Sequence, residues 1–201
     1  MCDKFKTIAY KSKGEFKEKG SKFYAFAFPV SNEEEVKEYQ SALRKEYYDA
    51  RHHVYAFIIG ADSSFYRASD DGEPANSSGM PVLGQIRSHE LTNILIVVIR
   101  YFGGVKLGIP GLINAYKTAA AQAIANNKII EKVVRKIMQL SFEYSELNNV
   151  MRIASENQLQ QINQHYDTAC KIDFLVDKSD VEKLVSCFDL ISNIKIEIID
   201  E

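Results

Sequence analysis

The sequence predicts an α+β fold in two domains, residues 1–131 and 132–201, and three observations carry that prediction. All ten glycines and all four prolines fall at or before Gly111, so the last 90 residues turn by different chemistry from the rest. In the first part, strand-like alternation is interleaved with runs of helical spacing. In the last part, the same two periodicities follow the order βαββαβ.

Taken in order, residues 7–10, 15–19 and 22–29 alternate as strands do. Ser31 or Asn32 then reads as a helix N-cap, with Glu33, Glu34 and Glu35 in the first turn, where negative charge suits the helix dipole. Val36, Tyr39, Leu43 and Tyr47 follow at helical spacing. Residues 53–60 and 64–68 read as a strand pair, 92–102 as a buried strand, and 110–126 as an Ala-rich helix with Pro110 in its first turn. Beyond the boundary, Leu140, Phe142 and Tyr144 alternate with Ser141 and Glu143. Leu147, Val150, Met151 and Ala154 mark one helix face, and residues 159–166 and 169–176 are strand-like. Val181, Leu184, Val185 and Phe188 mark a second helix, and Ile194, Ile196 and Ile198 close the chain as a strand. This order predicts a ferredoxin-like sandwich, two helices on one face of an antiparallel sheet. Phe142, Tyr144 and Phe174 share the parity of the inward aliphatic residues, so no stacking aromatics are expected on the open face.

Composition narrows the classes of function. With 46% hydrophobic and 26% charged residues, the chain is an ordinary globular sequence, and disorder or collagen-like repetition is excluded. Its longest apolar run, residues 94–99, is closed by Arg100 and falls far short of a membrane span. Residues 1–6 are not followed by an apolar segment, so no secretory signal is read and a cytoplasmic location is expected. Three widely spaced cysteines, Cys2, Cys170 and Cys187, give neither a disulfide framework nor a zinc site. A formal charge of −2 argues against a protein that coats nucleic acid, yet the charge is uneven. Residues 1–131 hold 17 basic against 15 acidic side chains, residues 132–201 hold 8 against 12, and the first 28 carry seven lysines. Such a segment either meets phosphate locally or guards a sheet edge against pairing.

Two clusters carry the candidate chemistry. Asp70, Asp71 and Glu73 stand within four residues, beside Arg67 and ahead of the run from Asn76 to Pro81, and Asp71-Gly72 with Pro74 after it is a turn signal. Carboxylates so close repel unless a cation, an arginine or backbone N–H groups compensate, so Arg67 or Arg100 is expected within ion-pair reach. A divalent ion held by the three acids is the alternative. The second cluster runs from Arg100 through Gly103, Gly104, Lys106, Gly108 and Gly111, from a buried strand through a glycine-rich loop into a helix. Backbone amides and a helix N-terminus there would favour an anion, although the loop is neither a Walker A nor a dinucleotide fingerprint. Arg51-His52-His53 precedes a strand, where neighbouring side chains point to opposite faces, so structural or hydrogen-bonding use is expected rather than a shared metal.

Arg51-His52-His53, the run from Arg67 to Pro74, the run from Pro81 to Ile86 and the run from Arg100 to Gly108 together resemble the YigZ/Impact family, above all its bacterial two-domain members. Residues 19–125 resemble the Impact N-terminal domain, and 134–198 the smaller C-terminal domain of the bacterial proteins. The resemblance implies a first domain with the α/β sandwich of elongation factor G domain IV and a second like its domain V. It also implies a setting in translational control. Eukaryotic members bind the activator of an initiation-factor kinase and typically carry an additional N-terminal domain, which this sequence is read as lacking, so that partner is not carried over. In the family a lysine is usual where Met80 stands and a glycine is common where Pro110 stands, and both departures weaken an anion site. The expectation is a non-enzymatic factor touching RNA or the ribosome and regulating translation, with no cofactor, no metal and no catalytic residue. Its candidate contacts are Lys17, Lys19, Lys22, Arg67, Arg100, Gly103, Gly104, Lys106, Gly108 and Gly111, with Asp70, Asp71 and Glu73 bracing the loop. A magnesium-dependent enzyme acting on a small phosphorylated molecule and a protein-interaction adaptor, for example for a translation factor, remain the other readings.

Overall fold

A computed structural model describes residues 4–166 and 170–200 and divides the chain after Lys132 into two units. The first contains β1 (Lys4–Ile8), β2 (Ser12–Glu18), β3 (Ser21–Pro29), α1 (Glu33–Glu46), β4 (His52–Ile59), β5 (Phe65–Ser69), α2 (Gly79–Ser88), β6 (Ile94–Tyr101), α3 (Gly108–Ala125) and, at its end, all but the last residue of β7 (Ile129–Val133). Five strands form an antiparallel sheet in the order β2-β3-β6-β4-β5, and β1 pairs with β7 in a separate ribbon.

The central strand β6 is apolar on both sides because both faces of the sheet are covered. Ile94, Ile96 and Val98 pack with α2 and α3 through Val82, Leu83, Ala115, Tyr116 and Ala119, while Leu95, Val97 and Ile99 pack with Val36 and Leu43 of α1. At the N-terminus of α1, Asn32 Oδ1 accepts the Glu35 N–H at 2.9 Å, and the Glu35 carboxylate accepts the Ser31 N–H at 2.6 Å. The two ends of the first turn are thereby satisfied reciprocally. On the other face, α3 lies directly on β2: Ser12 Oγ donates to the Ala123 carbonyl at 2.7 Å, and a Cβ at Gly14 would lie 2.4 Å from the Ala123 nitrogen.

Two stretches differ from the sequence reading. Residues 79–88, to which the sequence reading gave no element, form α2, whose Gly79, Pro81 and Gly84 are poor helix formers and whose apolar Val82, Leu83 and Ile86 are nevertheless fully buried. The Ala-rich helix begins at Gly108, two residues before Pro110, so the proline sits where the first turn has no intrahelical acceptor to lose.

The second unit comprises β8 (Arg135–Phe142), α4 (Leu147–Glu156), β9 (Gln160–Tyr166), β10 (Cys170–Asp177), α5 (Val181–Phe188) and β11 (Lys195–Asp200). Its sheet has the order β11-β8-β10-β9 with antiparallel ladders. Met138, Leu140 and Phe142 stand opposite Phe174, Ile172 and Cys170, and the two helices close over this face with Val150, Ala154, Leu184 and Phe188. Tyr144 departs from its expected inward place. Strand β8 ends at Phe142, and a 3-10 turn over Tyr144–Glu146 breaks the alternation and leaves Tyr144 73% exposed. The expected strand residue Ala169 lies outside the described residues. No described helix is long and apolar enough to cross a membrane.

Candidate nucleic-acid interface

The acidic turn after β5 gives each carboxylate a partner of its own. Asp70 accepts from the backbone N–H of Asn76, Ser78 and Gly79 at 2.8, 3.0 and 2.8 Å and from Ser78 Oγ at 2.7 Å. It therefore caps α2 from eight residues upstream, a duty the Ser78 side chain does not perform. Burial alone would raise the Asp70 carboxyl, but the bonds from Ser78, Gly79 and Asn76 outweigh it and hold the group below its ordinary value. Asp71 accepts from Arg44 of α1 at 2.8 Å and from the His53 N–H at 2.6 Å, and these likewise overcome burial to keep its carboxyl low. The Asp71 carbonyl receives His52 Nδ1 at 2.9 Å, so the His52 ring serves hydrogen bonding, whereas His53 meets Asp71 through its backbone N–H. Desolvation first, and then the charge of Arg44, push the His53 imidazole below its usual value.

Glu73 points inward. One of its oxygens receives Arg100 Nη1 at 2.6 Å and the Tyr116 hydroxyl at 2.7 Å, and the side chains of Arg100 and Glu73 are only 7% and 4% exposed. Burial, reinforced by the Glu73 charge, drives the Tyr116 hydroxyl far above the ordinary phenol value. With all three carboxylates engaged in this way, the geometry assigns them to holding the turn, and no group of three or more potential metal ligands occurs among the described residues.

The basic residues divide into two sets. Strands β2 and β3 are joined by Lys19 and Gly20, both at positive φ (46° and 79°), the two-residue turn that matches the twist of a hairpin. Gly103 packs against this turn: a Cβ there would lie 1.9 Å from the Gly20 carbonyl carbon, and the Gly103 N–H donates to Ser21 Oγ at 3.1 Å. The hairpin tip with exposed Lys19 and Lys22 is thereby fastened to the loop that carries exposed Phe102, Gly104, Val105 and Lys106. Lys17 stands directly opposite Lys22, and a 2.7 Å contact with Glu15 relieves the like-charge pairing.

Arg67 and Arg100 do not join this set. Arg67 lies on β5, at the opposite edge of the sheet from β2, and the cations that compensate the acids are Arg44 and Arg100 instead. Arg100 is committed to buried Glu73 and is withdrawn from external phosphate. The loop is also less of an amide cradle than its glycines imply: the Gly103 amide is spent on Ser21, while Gly108 and Gly111 belong to the first turn of α3. Sequence reasoning missed Arg44 and Phe102 and, for Tyr116, the bond to Glu73. Tyr116 repeats at helical spacing with Leu112, Ala119 and Ala123, a visible signal for burial, but nothing local links Arg44 to Asp71.

A model of the Impact N-terminal domain matches residues 19–124. The IMPACT family member YvyE of Bacillus subtilis is 29% identical over 178 residues, covering 89% of this chain and 82% of the relative. The IMPACT family member YigZ of Escherichia coli is 34% identical over 150 residues, 74% of each. A solved structure described only as a hypothetical protein aligns over 100% of this chain and 98% of its own, with a TM-score of 0.77 and 26% identity.

Proposed function

Because the chain belongs to the Impact family, we propose that it works where the family resemblance points, in translational control, as a non-enzymatic factor that contacts RNA or the ribosome. The observation that carries this reading is the seating of Gly20 on Gly103, which fastens the hairpin tip bearing Lys19 and Lys22 to the loop bearing exposed Phe102 and Lys106. Lysines meet the phosphate backbone irrespective of sequence, and Phe102, 56% exposed, offers a ring face on which a splayed base stacks. The magnesium-dependent alternative loses its support, since a metal would have to displace the hydrogen bonds of Asp70, Asp71 and Glu73. A protein partner is the second reading, favoured by Val105, Ile109 and Ile113, apolar side chains left exposed around the same loop.

The test is binding of the full chain to single-stranded RNA and to ribosomal particles over a series of salt concentrations. Lys106→Ala is expected to weaken binding and to flatten the log–log salt slope by roughly 0.7–0.9, the share of one phosphate contact. Phe102→Ala is expected to weaken it with the salt slope unchanged. Binding that ignores both changes would reject this surface as the RNA site.

A further inference from the structure

On the other face of the sheet from α3, strand β2 and helix α1 enclose a cleft of about 290 Å3. Its floor is made by Phe26, Phe28, Tyr39 and Leu43, with Phe28 and Tyr39 stacked at 4.3 Å between ring centres. The alternation of β2 explains the rim. Ser12 and Gly14 face α3, so Lys11 and Lys13 are delivered to the cleft side. Lys13 Nζ lies over the Phe26 ring at 5.0 Å, and Lys11 Nζ over Tyr39 at 4.6 Å and Phe28 at 5.9 Å. Neither has an ion-pair partner among the described residues, in contrast to Lys17 on the same strand, which holds Glu15.

We propose that this cleft binds a small amphiphilic anion, an aryl or medium-chain alkyl carboxylate, with its apolar part on the phenylalanine floor and its carboxylate between Lys11 and Lys13. Apolar walls supply the driving force for the hydrocarbon, and the volume lies just under the roughly 300–1,000 Å3 usual for ligand sites, which suits a small ligand. A ring face attracts an ammonium but accepts none of its three N–H donors in the manner of a carboxylate, so both lysines retain donors for an anion. Glu46 at the α1 rim repels negative charge and fixes the orientation, carboxylate toward the hairpin. None of Lys19, Lys22 or Lys106 takes part, so this site stands independently of the RNA reading.

The experiment titrates the full chain with anilinonaphthalene sulfonate, a fluorescent aromatic anion, and displaces it with decanoate. One displaceable dye per chain is expected. Lys11→Met and Lys13→Met, which keep the apolar stems, should each weaken decanoate binding roughly tenfold, the value of one hydrogen bond to a charged group. Ala42→Trp, at an exposed position on the α1 wall, should abolish binding while leaving the melting temperature unchanged. Dye that survives Ala42→Trp, decanoate that fails to displace it at millimolar concentration, or a decanoate affinity in either lysine variant unchanged from wild type would each overturn the proposal.

Discussion

Glu73 receives two donors on one oxygen, from Arg100 and Tyr116, in a place almost closed to water. Deleting the guanidinium strands a buried carboxylate, so Arg100→Met should destabilise the protein by about 3–5 kcal/mol, whereas replacing both partners by apolar side chains should restore much of that. Urea unfolding of the two variants decides it; a single change that costs nothing would mean that Glu73 finds water or a second donor. Asp70 is a helix cap at a distance, and Asp70→Ala should cost about 1–2 kcal/mol. The carboxyls of Asp70 and Asp71 both titrate below their free value of 3.8. The folded state therefore binds their protons less readily than the unfolded one. Their contribution is whole above about pH 3.8 and fades as the pH falls through the folded values. Urea midpoints measured at neutral and acid pH should converge between wild type and Asp70→Asn as the medium is acidified.

Between elements, the tightest fit is backbone against backbone at Gly20 and Gly103. Gly103→Ala has no room, because the atoms it would meet belong to the main chain rather than to a side chain that could swing aside. The expected result is a displaced hairpin turn, seen as amide chemical-shift changes confined to residues 17–24 and 100–106, together with weaker RNA binding. Preserved shifts with weaker binding would assign the glycine a direct contact instead. The same scale shows what the sequence disclosed. Strands β8 and β10 were legible because one face is buried and the other is wet, which imposes alternation, and β6 because burial on both faces makes it continuously apolar. Helix α2 was hidden: its glycines and proline argue against a helix, its burial comes from α3 and β4, and its cap arrives from Asp70 rather than from its own first residues. The acidic turn was legible as a cluster that needs compensation, but the choice of Arg44 over Arg67 is made by the packing of α1 against the sheet.

At the scale of the whole chain, we propose that the two units fold independently. The second unit has its own core of Met138, Leu140, Phe142, Ile172, Phe174 and Phe188, so residues 133–201 expressed alone should melt cooperatively, if at modest temperature for so small a core. Absence of any transition in calorimetry would show that the unit depends on the rest of the chain. The first unit has a different property, set by the ribbon of β1 and β7. Lys4 and Glu131 meet at 3.0 Å, and the Ala9 N–H donates to the Lys128 carbonyl at 2.9 Å, so the beginning and end of that unit run side by side. A short peptide could weld them into a ring, and the ring could be reopened at the exposed turn of residues 61–64, which joins β4 to β5. The order in which the ribosome emits the strands would change while every strand kept its neighbours, leaving the sheet as an arrangement that does not depend on where its thread begins.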